Sequence, residues 1–106
     1  MTTMKFHKFK RIKELTGSNG YVRIIGQIIS KTKNILLVDD GSGVMRVDIS
    51  NINMKKDIER EEKYVRIFGE IKIDEENRPY IFAEIIQFFD EKIFKILMEY
   101  IKTRRV

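Results

Sequence analysis

The sequence predicts a small all-β barrel that is followed by a C-terminal α-helix. A phrase of the form YVRI-x-G occurs twice, at residues 21–26 and 64–69, and each copy carries a glycine inside a run of β-branched residues. Such a glycine is typical of a strand that bulges or bends sharply. The apolar spacing changes to a helical one near the C-terminus, and a length of 106 residues suits a single core.

A hairpin is predicted between the two copies of the phrase. Residues 34–38 and 44–49 are short apolar runs, and the segment 39–43 between them, Asp-Asp-Gly-Ser-Gly, supplies turn chemistry. This segment lacks the lysine of a nucleotide-binding loop and the spaced carboxylates of a calcium loop, so we interpret it as a turn. Alternation in the second arm places Arg46 on the outward face.

The rest of the barrel follows from polarity and alternation. Residues 51–63 are too polar for a core strand, and we interpret them as a loop with a helical turn. Apolar and polar residues alternate from 64 to 73, which predicts a half-exposed strand. A turn at residues 74–79 leads to a last strand over residues 80–88. The predicted barrel therefore has five strands.

The segment before the barrel allows two interpretations. Between residues 4 and 15 an apolar residue recurs at every third position, a spacing compatible with a short helix or with a strand followed by a turn. Glycines and polar residues at 17–20 then break the chain. The predicted organisation is a basic N-terminal segment, a barrel and a helix, over residues 1–19, 20–88 and 89–103 respectively.

The C-terminal stretch has a wide apolar face. Its apolar positions sweep roughly 200° of a helix, whereas docking on one side needs a stripe only somewhat over 100° wide. The surplus predicts a surface for a partner protein. In the alternative interpretation it caps the barrel and covers the N-terminal segment. The predicted partner contacts are Ile93, Phe94, Leu97, Tyr100 and Ile101.

Residue usage excludes most catalytic chemistry. The chain has no cysteine and one histidine, His7, which excludes disulfide frameworks, thiolate zinc sites and histidine-based triads. We therefore predict a protein that is not an enzyme, with no cofactor, no metal and no small-molecule substrate. No apolar run approaches the roughly 18 residues of a membrane span, so no membrane partner is predicted. The opening residues lack the apolar core of a signal peptide, so a cytoplasmic location is expected.

Net positive charge is concentrated in the first half of the chain. The sequence has 21 lysine and arginine residues against 16 acidic residues, a net charge of +5. Residues 1–46 hold nine of the basic residues and only three of the acidic ones. A basic half in a small domain favours a polyanionic partner such as nucleic acid, because binding releases condensed counterions.

The strand order and the bend glycine describe the oligonucleotide/oligosaccharide-binding fold (OB-fold), a five-stranded Greek-key barrel. Four segments, residues 21–29, 36–47, 64–71 and 78–83, resemble the middle and small subunits of replication protein A, particularly the archaeal ones. The resemblance covers about residues 11–102. The hairpin phrase is also similar to those of telomere-capping complexes and of the anticodon-binding domains of class II aminoacyl-tRNA synthetases.

This resemblance implies a subunit of a single-stranded DNA-binding complex that acts in DNA replication and repair. In such complexes the C-terminal helix joins helices of sister OB-fold subunits. The DNA strand crosses the second and third strands, between the loops that join strands one to two and four to five. The predicted nucleic-acid contacts are Arg23, Lys31, Lys33, Arg46, Lys72 and Arg78, with Tyr80 as the stacking aromatic.

One departure from the family predicts weak DNA binding by the isolated chain. DNA-contacting members tend to carry an aromatic residue near the end of the third strand, where this sequence has Asp-Ile-Ser at residues 48–50. Two other functions stay open: an architectural protein-interaction barrel without nucleic-acid binding, and an RNA-binding barrel of the anticodon type. Salt-dependent affinity for a homopolymeric DNA strand excludes the first, and competition by structured RNA identifies the second.

Overall fold

The computed structural model of the chain describes residues 7–17, 20–52 and 63–103, so most of the loop predicted over residues 51–63 lies outside the described residues. Within these ranges the backbone forms six β-strands, one short 3-10 helix and one α-helix. The described part contains no helix that is long and apolar enough to cross a membrane. In chain order the elements are β1 (Lys8–Phe9), the 3-10 helix (Ile12–Glu14), β2 (Tyr21–Lys31), β3 (Ile35–Asp39), β4 (Val44–Asp48), β5 (Tyr64–Ile73), β6 (Pro79–Phe89) and α1 (Glu91–Thr103).

The strands form one closed sheet. Their order is β1-β2-β3-β4-β6-β5, and β5 also pairs with β2 along the stretch from Tyr21 to Gln27. The β2–β3, β3–β4, β5–β6 and β2–β5 pairs are antiparallel, whereas β4 and β6 run parallel. The return of β5 to β2 closes β2 to β6 into the five-stranded Greek-key barrel that the sequence predicts.

The sixth strand, β1, corrects the predicted count of five. It lies outside the barrel and pairs in parallel with β2, with Lys8 opposite Val22. Two residues are too few to show an alternation, so the sequence pattern could not separate this strand from a helix. Since the 3-10 helix follows β1, the described part of residues 4–15 is a strand followed by a turn.

Side-chain contacts hold the described part of this N-terminal segment against the barrel. His7 Nε2 lies 2.7 Å from Glu84 Oε1, and the His7 ring packs edge-on against Phe68 with ring centroids 5.7 Å apart. The N–H of Ile12 donates to Asp40 Oδ2 at 2.7 Å. The segment is thereby fastened both to β5 and β6 and to the turn between β3 and β4.

Alternate residues of the strands form the core. Val22 and Ile24 of β2 and Val65 and Ile67 of β5 are fully buried, so both copies of the repeated phrase place their β-branched residues inside. Among the described residues no polar or charged side chain is buried, so the charges lie on the outer faces. The core cluster comprises Ile12, Val22, Ile24, Leu36, Val38, Met45, Val47, Ile49, Val65, Ile67, Ile71, Ile81 and Ala83.

The two glycines of the repeated phrase lie where strands approach closely. A Cβ atom at Gly26 would be 2.6 Å from the carbonyl oxygen of Asp39, and one at Gly69 would collide with the carbonyl oxygen of Phe82. The β5–β6 register shifts immediately before Gly69, so the bulge predicted at this glycine is confirmed. In β2 the register shift comes after Gly26, so this glycine permits a close approach of two backbones instead.

The C-terminal helix begins at a side-chain cap. Asp90 Oδ1 accepts a hydrogen bond from the N–H of Ile93 at 2.8 Å, which satisfies a donor of the first helical turn. The ring of Phe94 stacks on the ring of Tyr64 with centroids 4.4 Å apart. No residue of α1 is buried. The helix therefore lies on the surface of the barrel and adds little to its core.

Candidate nucleic-acid interface

Two of the predicted DNA contacts, Arg46 and Arg78, meet at one carboxylate that sequence analysis did not assign to the site, and a third, Tyr80, lies beside Arg46. Arg46 Nη2 donates to Asp74 Oδ2 at 2.8 Å, and its guanidinium lies 5.7 Å from the centroid of the Tyr80 ring. Arg78 Nε lies 3.3 Å from the same carboxylate oxygen. We refer to Arg46, Asp74, Arg78 and Tyr80 as the Asp74 cluster.

Asp74 is held in its charged form by several donors. Its Oδ1 accepts the backbone N–H groups of Arg78 and Glu76, each at 2.9 Å. The N–H of Arg78 is the largest cause of a lowered pKa for Asp74, and the hydrogen bond and charge of Arg46 lower the pKa further against the opposing effect of desolvation. At neutral pH the Asp74 carboxylate therefore offsets positive charge on both arginines.

Lys72 of β5 lies close to further carboxylate and aromatic groups. Its Nζ is 5.0 Å from the centroid of the Phe82 ring and 4.0 Å from Glu70 Oε1. Arg78 also places its Nη2 3.3 Å from Glu76 Oε1. The three predicted cations of β4, β5 and the β5–β6 turn, Arg46, Lys72 and Arg78, thus lie beside three carboxylates, those of residues 70, 74 and 76. The charge of this part of the surface is balanced rather than strongly basic.

Lys31 and Lys33 occupy the end of β2 and the loop that leads to β3, and both are exposed. The N–H and the Oγ1 of Thr32 donate to the carbonyl oxygen of Ile35 at 2.9 and 3.2 Å, which closes this loop tightly. The two lysines are therefore presented on a short, hydrogen-bonded connection at one end of the β2–β3 pair.

Arg23 lies apart from the other predicted contacts. Its carbonyl oxygen accepts the N–H of Lys10 at 3.2 Å, so the residue borders the N-terminal segment. Its exposed side chain lines a cleft under α1 together with Arg66 and Leu97. The structure does not bring Arg23 to the Asp74 cluster.

The helix divides its apolar residues between two faces. The predicted partner contacts on the barrel side, all half-buried, are Phe94, Leu97 and Ile101. Ile93 and Tyr100 are exposed, and so is Ile96, which at 62% is the most exposed of the three and was not among the predicted contacts. The spacing i, i+3, i+7 of these residues is the signal that identifies them as one stripe. We call Ile93, Ile96 and Tyr100 the exposed stripe.

The carboxylates of the β3–β4 turn serve the backbone rather than a ligand. Asp40 Oδ1 accepts the N–H of Ser42 at 2.8 Å, and Asp39 Oδ1 accepts the N–H of Gly41 at 2.8 Å, so the predicted hairpin turn is confirmed. Over residues 7–17, 20–52 and 63–103, no group of three or more histidine, aspartate or glutamate side chains is placed to hold a metal ion.

Solved structures share this architecture, although no protein-family model and no curated protein matches the sequence. A chain in the crystal structure of the S. pombe Stn1–Ten1 complex has a TM-score of 0.68 and 18% identity, over 96% of this chain and 98% of that one. The S. pombe telomere capping protein Ten1 has a TM-score of 0.65 and 19% identity, over 92% and 99% of the two chains. The hypothetical protein ygiW from E. coli has a TM-score of 0.60 and 19% identity, over 82% and 100%.

These likenesses extend over most of the chain. At sequence identities of 18% and 19% they show a shared fold. The chain has the OB-fold. In this OB-fold the loop that carries Lys33 leads into β3, and Arg46 of β4 contacts Asp74 in the loop between β5 and β6. The outer face of β3 and β4 thus adjoins both loops. OB-folds bind oligonucleotides on this face and between these two loops.

Proposed function

We propose that this chain is a non-enzymatic OB-fold subunit that binds single-stranded DNA and assembles with a sister OB-fold subunit through its C-terminal helix, as in a replication protein A-like complex. The observation that carries the proposal is the exposed stripe on a helix that buries none of its side chains. The likeness over nearly the full length to a chain of the two-protein Stn1–Ten1 complex supports an assembly of this kind.

The exposed stripe has the geometry of a helix–helix contact. Ile93, Ile96 and Tyr100 are 47%, 62% and 58% exposed. Burying apolar surface of this kind in an interface stabilises the complex by about 25 cal/mol of free energy per Å² removed from water. Since the adjacent face of α1, with Phe94, Leu97 and Ile101, already lies on the barrel, a helix from a second subunit is the partner whose shape fits the stripe.

Capture of the partner tests the assembly. We expect the tagged wild-type chain to retain a second OB-fold protein from lysate of its source cells, identified by mass spectrometry, and an Ile93→Glu/Ile96→Glu variant to lose it. A Lys92→Glu variant, changed on the polar face of the same helix, is the control. Equal retention of that OB-fold protein by all three chains, or capture of no OB-fold protein by the wild type, would contradict the proposal.

Salt dependence tests the DNA contacts. For single strands the slope of log K against log salt is about −0.7 per phosphate contact, so a Lys31→Gln/Lys33→Gln variant should lose about 1.4 units of slope on labelled oligo(dT). A Lys63→Gln/Lys92→Gln variant loses the same charge at two other exposed positions and should keep the slope. An unchanged slope in the first variant would move the DNA away from the β2–β3 loop.

A second candidate function is an architectural OB-fold subunit that does not bind nucleic acid. It is favoured by the balance of charge on the surface near Asp74, where Arg46, Lys72 and Arg78 each have a carboxylate oxygen within 4.0 Å. Partner capture together with no salt-sensitive binding of oligo(dT) would support this candidate over the first.

A further inference from the structure

A basic cleft lies between α1 and the barrel and does not include the Asp74 cluster. It has a volume of about 780 Å³, and its walls are the C-terminal half of α1, the segment of β1 and the 3-10 helix, and parts of β2 and β5. We call it the Arg23 cleft. A neighbouring cleft of about 960 Å³ extends to the β3–β4 turn. The two clefts share Phe9, Arg11, Lys13, Ile25 and Ile101.

Positive charge in the Arg23 cleft greatly exceeds negative charge. Its five cationic side chains are Lys10, Arg11, Lys13, Arg23 and Arg66. One acidic residue lines the cleft, Glu14, whose carboxylate accepts the N–H of Arg11 at 3.1 Å. Within the described part of the chain none of the five cations forms an ion pair, and Arg66 Nε donates to the neutral Gln87 side chain at 2.7 Å. In the Asp74 cluster, in contrast, both arginines pair with Asp74, and Arg78 also pairs with Glu76.

Apolar and aromatic side chains complete the cleft. Phe9 and Ile25 line it from the barrel side, and Leu97 and Tyr100 line it from α1. Sites for single-stranded nucleic acid combine a row of cationic side chains with aromatic rings. The cations pair with the phosphates, and the bases stack on the rings. A small anionic metabolite would need fewer cations than the five found here.

We infer that the Arg23 cleft binds the phosphodiester backbone of single-stranded DNA and forms a second contact path beside the β3–β4 face. The inference rests on the proposed function for its ligand. It adds a site that the barrel strands alone do not provide, because Lys10, Arg11 and Lys13 come from the N-terminal segment that His7 and Ile12 fasten to the barrel.

Charge neutralisation in the cleft tests the inference. A Lys13→Gln/Arg23→Gln variant should bind labelled oligo(dT) more weakly than the wild type at 50 mM salt and should lose about 1.4 units of salt slope. The Lys63→Gln/Lys92→Gln variant is the control of equal charge. A Lys10→Gln/Arg11→Gln variant repeats the test at two other cations, and thermal unfolding of each variant shows that the fold is kept.

Photo-crosslinking provides a readout that does not depend on charge. A strand that carries 5-iodouracil should crosslink to the peptide that contains Tyr100, and the cleft variants should lose this crosslink. If the cleft variants keep the wild-type slope while Lys31→Gln/Lys33→Gln loses it, and the crosslinks map to Tyr80, the cleft is excluded and the proposed function stands. If the wild-type chain does not bind oligo(dT), both fail together.

Discussion

Asp74 limits the positive charge that the outer face of the barrel presents to a phosphate. Arg46 Nη2 and Arg78 Nε reach the same carboxylate oxygen at 2.8 and 3.3 Å. Both arginines are partly exposed, so each contact contributes little to stability, as is usual for ion pairs in contact with water. Their main effect is to hold the Arg46 guanidinium, which lies 5.7 Å from the centroid of the Tyr80 ring, and the Arg78 guanidinium at one carboxylate and to offset their charge.

Removal of the Asp74 charge should strengthen DNA binding. An Asp74→Asn variant keeps an acceptor for the turn and removes the carboxylate that both arginines share, while Arg78 stays 3.3 Å from Glu76 Oε1. The slope of log K against log salt on oligo(dT) should therefore become steeper by about 0.7 units, if the freed Arg46 engages a phosphate. Glu75→Gln makes the same charge change at an exposed neighbour and should leave the slope unchanged. An equal effect of the two variants would mean that Asp74 acts only through net charge.

The lowered pKa of Asp74 predicts a dependence of stability on pH. A carboxyl group whose pKa is lower in the folded state than its unfolded value of about 3.9 stabilises the fold above that value. This contribution is lost as pH falls through the folded-state pKa. The difference in Tm between wild type and Asp74→Asn should therefore be constant from pH 7 to about pH 5 and shrink below about pH 4. A difference that does not change down to pH 2.5 would show that the charge of Asp74 does not stabilise the fold.

At the scale of the strands, Gly26 determines how closely β2 can approach β3. An added Cβ would meet the backbone of Asp39, which cannot move without disturbing the β2–β3 pairing. Gly26→Ala should therefore lower the free energy of unfolding by about 1–3 kcal/mol, the usual cost of overpacking. Gln27→Ala, at the exposed neighbour, is the control for the substitution itself. Equal midpoints in urea for Gly26→Ala and the wild type would contradict the close approach.

Substitutions on the two faces of α1 should affect different properties. Changes in the exposed stripe should affect assembly, and changes on the barrel side should affect how firmly the helix packs on the barrel. Ile93→Glu and Ile96→Glu change exposed residues and should alter stability by no more than about 0.5 kcal/mol each. Phe94→Ala removes the ring stacked on Tyr64 and should loosen the helix from the barrel, seen as faster amide hydrogen exchange across α1. If Ile93→Glu/Ile96→Glu unfolded the barrel, the exposed stripe would be part of the core.

Local patterns predicted the strands of the barrel and the presence of the helix. Alternation identified β4 and β5 because one face of each strand is buried, as Met45, Val47 and Val65 are. It could not find β1, whose two residues owe their conformation to pairing with β2. Sequence patterns also could not predict which apolar residues of the helix are covered and which are exposed. The position of the barrel decides which half of the wide apolar sector it covers.

Local sequence patterns could not predict which charged residues pair in the site, for a similar reason. Arg46 and Asp74 are 28 residues apart in the chain, and only closure of the barrel brings them to 2.8 Å. The sequence therefore predicted which cations lie on the outer faces but not which of them are neutralised. Position and chemistry place Arg23 in the same predicted set as Arg46, whereas in the structure it lines the cleft under α1.

At the scale of the whole molecule, five cations that form no ion pair within the described residues lie under α1, and the exposed stripe lies on α1 itself. The Arg23 cleft and the exposed stripe share Tyr100, so a bound strand and a docked subunit would meet at the C-terminal half of one helix. Under the proposed function, DNA binding and assembly would therefore involve the same short stretch of chain.

Binding of single-stranded DNA is the central claim, and fluorescence anisotropy of labelled oligo(dT) titrated with the wild-type chain at 50 and 200 mM salt tests it most directly. Five phosphate contacts at a slope of about −0.7 each predict an affinity about 100-fold weaker at the higher salt. That result would identify a DNA-contacting subunit. No binding at either salt would contradict the claim and leave the C-terminal helix as the functional surface.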